Sequence, residues 1–159
     1  MLLKEQEEEN ATAKSYVLGS EYLGYTATEG TNHYYITDEQ GSIRHVLKEN
    51  GEAEAYYQYD AFGETITSEG ITSRLGYNAQ MADSLSGLYY LRARYYNPAI
   101  GRFTQEDVIY NDGLNLYAYC NSNPVMYGDW NGCAKEPVPF SMGRFYYEDI
   151  NDIDFNKIL

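Results

Sequence analysis

The clearest alternation of side-chain types lies in Leu88–Asn97. Positions 89 to 95 carry Tyr, Leu, Ala and Tyr at every second residue, and positions 90 to 96 carry Tyr, Arg, Arg and Tyr. This two-residue period predicts one long β-strand with a layer of side chains on each face. The strand is expected to end at Pro98, because proline donates no ladder hydrogen bond.

A second pattern repeats every 22 residues upstream of that strand. Asp38–Gly41 recurs as Asp60–Gly63, each in the frame Tyr/Thr-Asp-x-x-Gly and each flanked by strand-forming residues. The Asp side chain accepts hydrogen bonds from following amides, and the Gly supplies the positive φ that closes a turn. With further turns at Asn50–Gly51 and Glu69–Gly70, the pattern predicts an antiparallel meander.

These patterns predict a mainly β fold. We expect an antiparallel, tyrosine-rich sheet from about Tyr16 to Phe103, with Thr72–Gln80 as one strand and Asp83–Gly87 as a loop. A small cap of turns and helix is expected from Thr104 to Gly132. Exposed sheet edges favour self-association.

The chain divides into four expected regions. Residues 1–15 are a Glu-rich lead-in without an apolar stripe, which indicates a frayed helix or a disordered segment. Hairpins occupy 16–87, a core block 88–133, and a variable tail 134–159. In the tail, a weak amphipathic helix is predicted from Tyr146 onward.

Composition narrows the classes of function. The net charge of −13 argues against nucleic-acid binding and against anionic membrane surfaces. No apolar run approaches the roughly 20 residues of a membrane-spanning helix. Met1–Asn10 lacks the apolar region of a signal peptide. The 19 tyrosines among 159 residues are expected mainly in the sheet.

The two cysteines, Cys120 and Cys133, are 13 residues apart and do not form a disulfide framework. The absence of CxxC spacing or clustered histidines argues against zinc, so no metal and no cofactor are expected. Reduced thiols are the expected state. A Cys–His nucleophile would need His33 or His45, neither of which lies in a recognisable motif.

The core block resembles the C-terminal core of the Rhs, or YD-repeat, family of bacterial polymorphic-toxin and surface proteins. The resemblance rests on Gly87–Pro98, Gly101–Phe103, Asp107, Leu114–Tyr119, Asn123–Val125, Asp129 and Gly132. It implies hairpins that spiral into a shell around a cargo polypeptide. It also implies a secreted or cell-surface location as part of a larger protein, with upstream repeats or a C-terminal cargo as partners. Two repeats alone are too few to close a shell.

The resemblance places Asp107 and Asp129 at the positions of the family's aspartate pair, which cuts its own chain just beyond the core block. In such a pair one carboxyl group holds a proton while the other accepts one from water. The cut is expected after Cys133 or Ala134. From the residues alone, both aspartates are turn residues that accept backbone hydrogen bonds.

The motif departs from the family around both aspartates. The usual Asp-Pro-x-Gly-Leu stands here as Asp129-Trp-Asn-Gly-Cys133, and Val108 follows Asp107 where the family often has proline. Arg102 is a candidate to pair with an aspartate, whereas Arg92 and Arg94 are expected to pack on tyrosine rings. Asn121, Asn123 and Pro124 are expected to form a turn that aims Asp129.

Three functions therefore stay open. The first is a structural section of a toxin-encapsulating Rhs shell. The second is an active aspartic autoprotease that releases the segment after the core block. The third is a surface module that binds glycans or a neighbouring cell through exposed tyrosine rings.

Overall fold

The computed structural model describes residues 2–6, 13–18, 22–108 and 115–138. The regular elements within these ranges are β-strands and short 3-10 turns, so the expected mainly β, antiparallel fold is confirmed. Strands form a seven-stranded sheet, a four-stranded sheet and a two-stranded ribbon. The described residues contain no helix long and apolar enough to cross a membrane.

The large sheet is an antiparallel meander in which each strand pairs with the next one along the chain. Its strands are β1 Leu2–Gln6, β2 Ala13–Leu18, β3 Tyr22–Thr26, β4 Asn32–Thr37, β5 Ile43–Lys48, β6 Ala53–Tyr59 and β7 Thr65–Gly70. One face buries a cluster that includes Tyr25, Tyr35, Val46 and Tyr57. The buried tyrosines of this cluster are Tyr16, Tyr25, Tyr35 and Tyr57.

The hairpin connections from β3 to β7 all close in the same way. In each, a glycine with φ between 79° and 87° donates its N–H to the carbonyl three residues back. Asp38 Oδ1 accepts the amides two and four residues later at 3.0 and 2.9 Å, and Asp60 Oδ1 does the same at 2.8 and 2.9 Å. The predicted repeat is thus confirmed as a repeated turn, and Asn50–Gly51 forms another.

The second sheet and the ribbon follow the meander. The sheet has the order β11, β10, β9, β8, and the ribbon pairs β12 with β13. Their bounds are β8 Met81–Ala82, β9 Tyr89–Tyr90, β10 Tyr95–Asn97, β11 Arg102–Phe103, β12 Tyr127–Gly128 and β13 Glu136–Pro137. Tyr59 packs against the buried clusters of both larger sheets and so joins them.

The prediction of one long strand at Leu88–Asn97 is wrong, because the segment folds back on itself. Tyr89 pairs with Tyr96 and Tyr90 pairs with Tyr95, so the segment is a tight hairpin. The reversal occurs at Arg92, which has φ 66°, and the Leu91 N–H donates to the Arg94 carbonyl at 2.9 Å. A positive φ is rare for a residue with a side chain, and alternation alone does not reveal it.

Other local expectations also change. The lead-in contains strand β1 instead of a helix, because residues 2–6 pair with β2 in unbroken register from Leu2↔Val17 to Gln6↔Ala13. Such pairing overrides the favourable helix propensity of Leu, Lys, Glu and Gln, because tertiary context outweighs propensity. Thr72–Gln80 is not a strand, since Tyr77–Ala79 is a 3-10 turn in which Asn78 has φ 50°.

The sheet predicted from Tyr16 to Phe103 is therefore divided in two. The described part of the cap contains turns, a 3-10 turn at Cys120–Ser122 and strand β12. A further 3-10 turn lies at Pro98–Ile100. The helix predicted from Tyr146 lies outside the described residues.

Candidate functional site

Three connecting segments bring the site together. The β9–β10 hairpin carries Arg94, the segment after β11 carries Asp107, and the turn after β12 carries Asp129. All three side chains are buried, with 5%, 8% and 2% of their residue surface exposed. A buried cation beside two buried carboxyl groups is a stable arrangement only when the charges are paired.

Arg94 contacts both aspartates through one nitrogen atom. Its Nη2 lies 2.8 Å from Asp107 Oδ2 and 3.8 Å from Asp129 Oδ2. The two aspartates, 22 residues apart in sequence, therefore face the same guanidinium nitrogen.

The remaining contacts of Arg94 fix it in place. Its Nη1 donates to the Leu116 carbonyl at 3.1 Å, and its Nε donates to the Gly132 carbonyl. Its guanidinium carbon also lies 3.6 Å from the centre of the Phe103 ring. Arg94 therefore packs on a phenylalanine ring rather than on the tyrosine rings that were predicted, and it also joins the segments around Asp107 and Asp129.

Asp129 is a turn residue as well as a member of this cluster. Its Oδ1 accepts the Gly132 N–H at 2.7 Å and the Asn131 N–H at 3.3 Å. Burial raises the pKa of the Asp129 carboxyl, although these amides and Arg94 oppose the shift. A carboxyl group with a raised pKa keeps its proton at higher pH, which suits a proton donor.

A cavity of about 20 Å³ lies between the aspartates and the chain that follows them. Arg94, Asp107, Asp129 and Cys133 border it. That volume is enough for about one water molecule. The segment in which the cut was predicted therefore meets the carboxyl groups at one small polar cavity.

Arg102, the arginine expected to support the pair, is exposed on β11 opposite Asn97. The arginine that contacts both aspartates is Arg94, which the sequence predicted to pack on tyrosine rings. The predicted pair of buried aspartates could have indicated a buried arginine beside them, because two buried carboxylates require a cation nearby. Because the chain reversal at Arg92 was not predicted, the sequence did not show that Arg94 supplies this cation.

The turn expected at Asn121, Asn123 and Pro124 is present. Cys120–Ser122 is a 3-10 turn, and the Asn123 carbonyl accepts the N–H groups of Met126 and Tyr127, both at 3.3 Å. The Pro124 carbonyl accepts the side-chain amide of Gln40 at 2.6 Å. This bond ties the cap to the first predicted turn of the repeat.

Both cysteines are free thiols, as expected. Cys120 is buried, which raises its pKa to about 12, whereas Cys133 is partly exposed. His33 contacts Glu54, Nε2 to Oε2, at 2.9 Å, and His45 packs on Tyr56. Within the described ranges, no group of three His, Cys, Asp or Glu side chains is placed to hold a metal ion.

An exposed aromatic pair lies on the second sheet. Tyr90 and Tyr95 are 43% and 42% exposed, and their ring centres are 5.1 Å apart. They face each other across the hairpin that carries Arg94. Such a pair stabilises the strands and also presents ring faces to solvent.

Known proteins share both sequence and fold with this chain. The teneurin YD-shell family model matches residues 13–125. The tRNA3(Ser)-specific nuclease WapA of Bacillus spizizenii is 36% identical over 142 residues, which cover 82% of this chain and 6% of that protein. The double-stranded DNA deaminase toxin A of Burkholderia cenocepacia is 37% identical over 141 residues, which cover 75% of this chain and 10% of that protein.

The chain thus spans a tenth or less of the length of these two relatives. Solved structures share the fold: the crystal structure of TcdB2-TccC3-Cdc42 has a TM-score of 0.64 and 24% identity, covering 83% of this chain and 6% of that chain. A Tc holotoxin pore of Photorhabdus luminescens has a TM-score of 0.64 and 20% identity, covering 85% of this chain and 8% of that chain. The chain belongs to the Rhs, or YD-repeat, family, and its residues 13–125 match the teneurin YD-shell domain.

Proposed function

We propose that this chain is the C-terminal wall section of a toxin-encapsulating YD-shell, and that its core block ties the cargo-bearing end of the polypeptide into the wall. The observation that carries this proposal is the position of Arg94. One buried side chain contacts the Asp107 segment, the Asp129 carboxyl and the Gly132 carbonyl. The polypeptide beyond Gly132 therefore leaves from a fixed point.

The unpaired edge of the large sheet supports the proposal that this chain is part of a larger wall. Among the described residues, β7 pairs only with β6, and its Ile66 is 60% exposed. An open edge of this kind pairs with another strand unless charge or proline prevents it. In the proposed shell, neighbouring YD repeats of a larger exported protein occupy that position.

Light scattering during size-exclusion chromatography tests this role for the edge. We expect the isolated chain to self-associate, and we expect Ile66→Lys to shift it toward monomer by charging the edge. Lys48→Glu, which changes the charge of an exposed residue on the interior strand β5, is the matched control. A monomeric wild-type chain would contradict self-association through the β7 edge.

The names of the relatives suggest the kind of cargo. One is called a tRNA nuclease and another a DNA deaminase toxin, and both are much longer than this chain. We infer that the cargo is a toxin domain delivered outside the producing cell. The net charge of −13 makes this section a poor nucleic-acid binder itself.

We further propose that the core block cleaves its own chain beyond Asp129. The aspartates face one guanidinium nitrogen and border a cavity with room for about one water molecule. Asp129, whose pKa burial raises, is the proton donor, and Asp107 is the acceptor. The side chain of Asn131 holds the Cys133 and Ala134 amides at 2.8 and 3.1 Å, which fixes the predicted cut segment beside the pair.

Intact-mass measurement of the purified chain tests self-cleavage. The proposal predicts an N-terminal product that ends between Gly132 and Ala134 and disappears in Asp129→Asn. That substitution keeps the oxygen that accepts the Gly132 amide but removes the acid. A full-length wild-type chain, stable over days, would contradict the proposal.

A further inference from the structure

We propose that the first nucleophile of this self-cleavage is the thiol of Cys133, which attacks the carbonyl carbon of Gly132 and converts the peptide bond into a thioester. The inference rests on the proposed self-cleavage and adds the bond that is cut and the group that attacks it. Four features of the site meet at this one peptide bond: a held carbonyl, an acid at the leaving nitrogen, an adjacent thiol and a rigid backbone.

The carbonyl of Gly132 is already bound by a charged donor. Arg94 Nε donates to it, and Arg94 is itself buried and ion-paired with Asp107. A charged donor in a buried site polarises the carbonyl and stabilises the negative charge that develops on its oxygen during attack. This oxygen is therefore held as the oxyanion of an acyl-transfer reaction would be.

The nitrogen of the same peptide bond lies beside an acid. The Cys133 N–H donates to Asn131 Oδ1 at 2.8 Å, and Asp129 Oδ1 accepts the N–H groups of Asn131 and Gly132, so the Asp129 carboxyl is bound one residue away from this nitrogen. Burial nevertheless raises the pKa of Asp129. A protonated carboxyl group at this position donates to the amine as the bond to carbon breaks.

Of the two thiols, that of Cys133 is the one accessible for attack on this bond. Cys133 is partly exposed and borders the cavity shared with both aspartates. Cys120 lines the same cavity, but it is buried, and its pKa of about 12 keeps it protonated at neutral pH. A thiol on the residue after a peptide bond attacks the preceding carbonyl carbon through a five-membered ring, which makes the step intramolecular.

The backbone at Gly132 is rigid enough to hold this geometry. Its φ is 74°, and a Cβ at this position would lie 2.5 Å from the Leu91 carbonyl oxygen. The bond is therefore pressed against the hairpin that carries Arg94. Reacting groups that are held in place before attack need less reorganisation in the transition state.

The proposed steps balance without a cofactor or an oxidant. The Cys133 sulfur forms a bond to the Gly132 carbonyl carbon, the carbon–nitrogen bond breaks, and the thiol proton ends on the Cys133 amine by way of Asp129. One water molecule then adds to the thioester. The products are a Gly132 carboxylate and a free Cys133 thiol, with one proton released.

The test follows the full chain from cell-free synthesis by intact mass, with and without hydroxylamine, which traps thioesters. We expect a product ending at Gly132, carrying a hydroxamate when hydroxylamine is present. Cys133→Ala should abolish this product, and Cys133→Ser should restore cleavage at the same bond more slowly through an ester. Cys120→Ala, the matched removal of the other thiol, should leave it unchanged.

The outcomes separate the two proposals. Cleavage that continues at the wild-type rate in Cys133→Ala, or a product ending at Cys133 or Ala134, overturns the thiol step while the aspartate-dependent cleavage stands. A wild-type chain that stays full length, with circular dichroism showing folded β-structure, overturns both.

Discussion

Gly132 lies so close to the β9–β10 hairpin that a Cβ on it would sit 2.5 Å from the carbonyl oxygen of Leu91. The carbonyl of the same glycine accepts a hydrogen bond from Arg94, three residues beyond Leu91. The turn after Asp129 is therefore locked to the hairpin from two sides.

Gly132→Ala should destabilise the fold through both a clash and an unfavourable φ. Strained backbone positions cost about 1–3 kcal/mol, and displacement of the Leu91 carbonyl adds to that. Gly87→Ala is the matched control, because Gly87 has φ 71° with open space around it. Urea unfolding should show the larger loss for Gly132→Ala, and equal losses would mean that the close approach has no energetic weight.

Arg94→Met should be among the most destabilising single substitutions in the core block. It leaves two buried carboxyl groups without their cation, and breaking a buried ion pair typically costs about 3–5 kcal/mol. Arg92→Met, at an exposed position in the same hairpin, provides the comparison. If both variants unfold at the same urea concentration, Arg94 does not hold the segments together.

The large sheet and the turn frames were predictable because their chemistry is local. Asp38 and Asp60 each bind amides within four residues, and glycine supplies the left-handed conformation at each turn. The hairpin at Leu91–Arg94 was not predictable in this way, because its reversal uses Arg92 in a conformation that glycine usually takes. A two-residue alternation of side chains does not distinguish one long strand from two short strands that form a hairpin.

The candidate site also has a part that the sequence predicted and a part that depends on tertiary contacts. The family resemblance supplied Asp107 and Asp129, and the structure brings both to Arg94. The choice of Arg94 over Arg102 depends on tertiary contacts with residues 13 and 35 positions along the chain, which no local pattern encodes. The strand at Leu2–Gln6 was missed for the same reason, since its pairing with β2 decides its structure.

The stability of the wild type relative to Asp129→Asn should depend on pH in a defined direction. Burial raises the pKa of Asp129 in the folded state, so the folded protein holds this proton more tightly than the unfolded chain does. This contribution grows as pH falls through the folded-state pKa and is complete below the unfolded value. The wild type should therefore gain stability relative to the variant as pH falls from about 7 to about 4.

Urea unfolding of the wild type and of Asp129→Asn across that pH range tests the direction in which their stability difference changes. Burial also raises the pKa of Asp38, so the difference between the two proteins, rather than either curve alone, reports on Asp129. A gain of the wild type over the variant with rising pH would contradict a protonated Asp129 at the site.

Tyr119→Phe should weaken the contact between the core block and the Tyr77–Ala79 turn. The buried hydroxyl of Tyr119 accepts the side-chain amide of Asn78 at 2.6 Å. Its removal leaves a buried donor unpaired, which costs about 1–3 kcal/mol. Tyr117→Phe, which removes an exposed hydroxyl beside Glu106, should change the unfolding midpoint little, and a comparable loss there would argue against burial as the cause.

The most direct test of the central claim is a time course of intact mass for the wild type, Asp107→Asn, Asp129→Asn and Asp83→Asn. Asp83 is an exposed turn aspartate away from the cavity, so its variant controls for the loss of a carboxylate. We predict that the wild type and Asp83→Asn yield a product ending between Gly132 and Ala134, whereas the other two variants stay full length. Cleavage of equal extent in all four chains, or in none of them, would contradict a reactive centre built from Asp107 and Asp129.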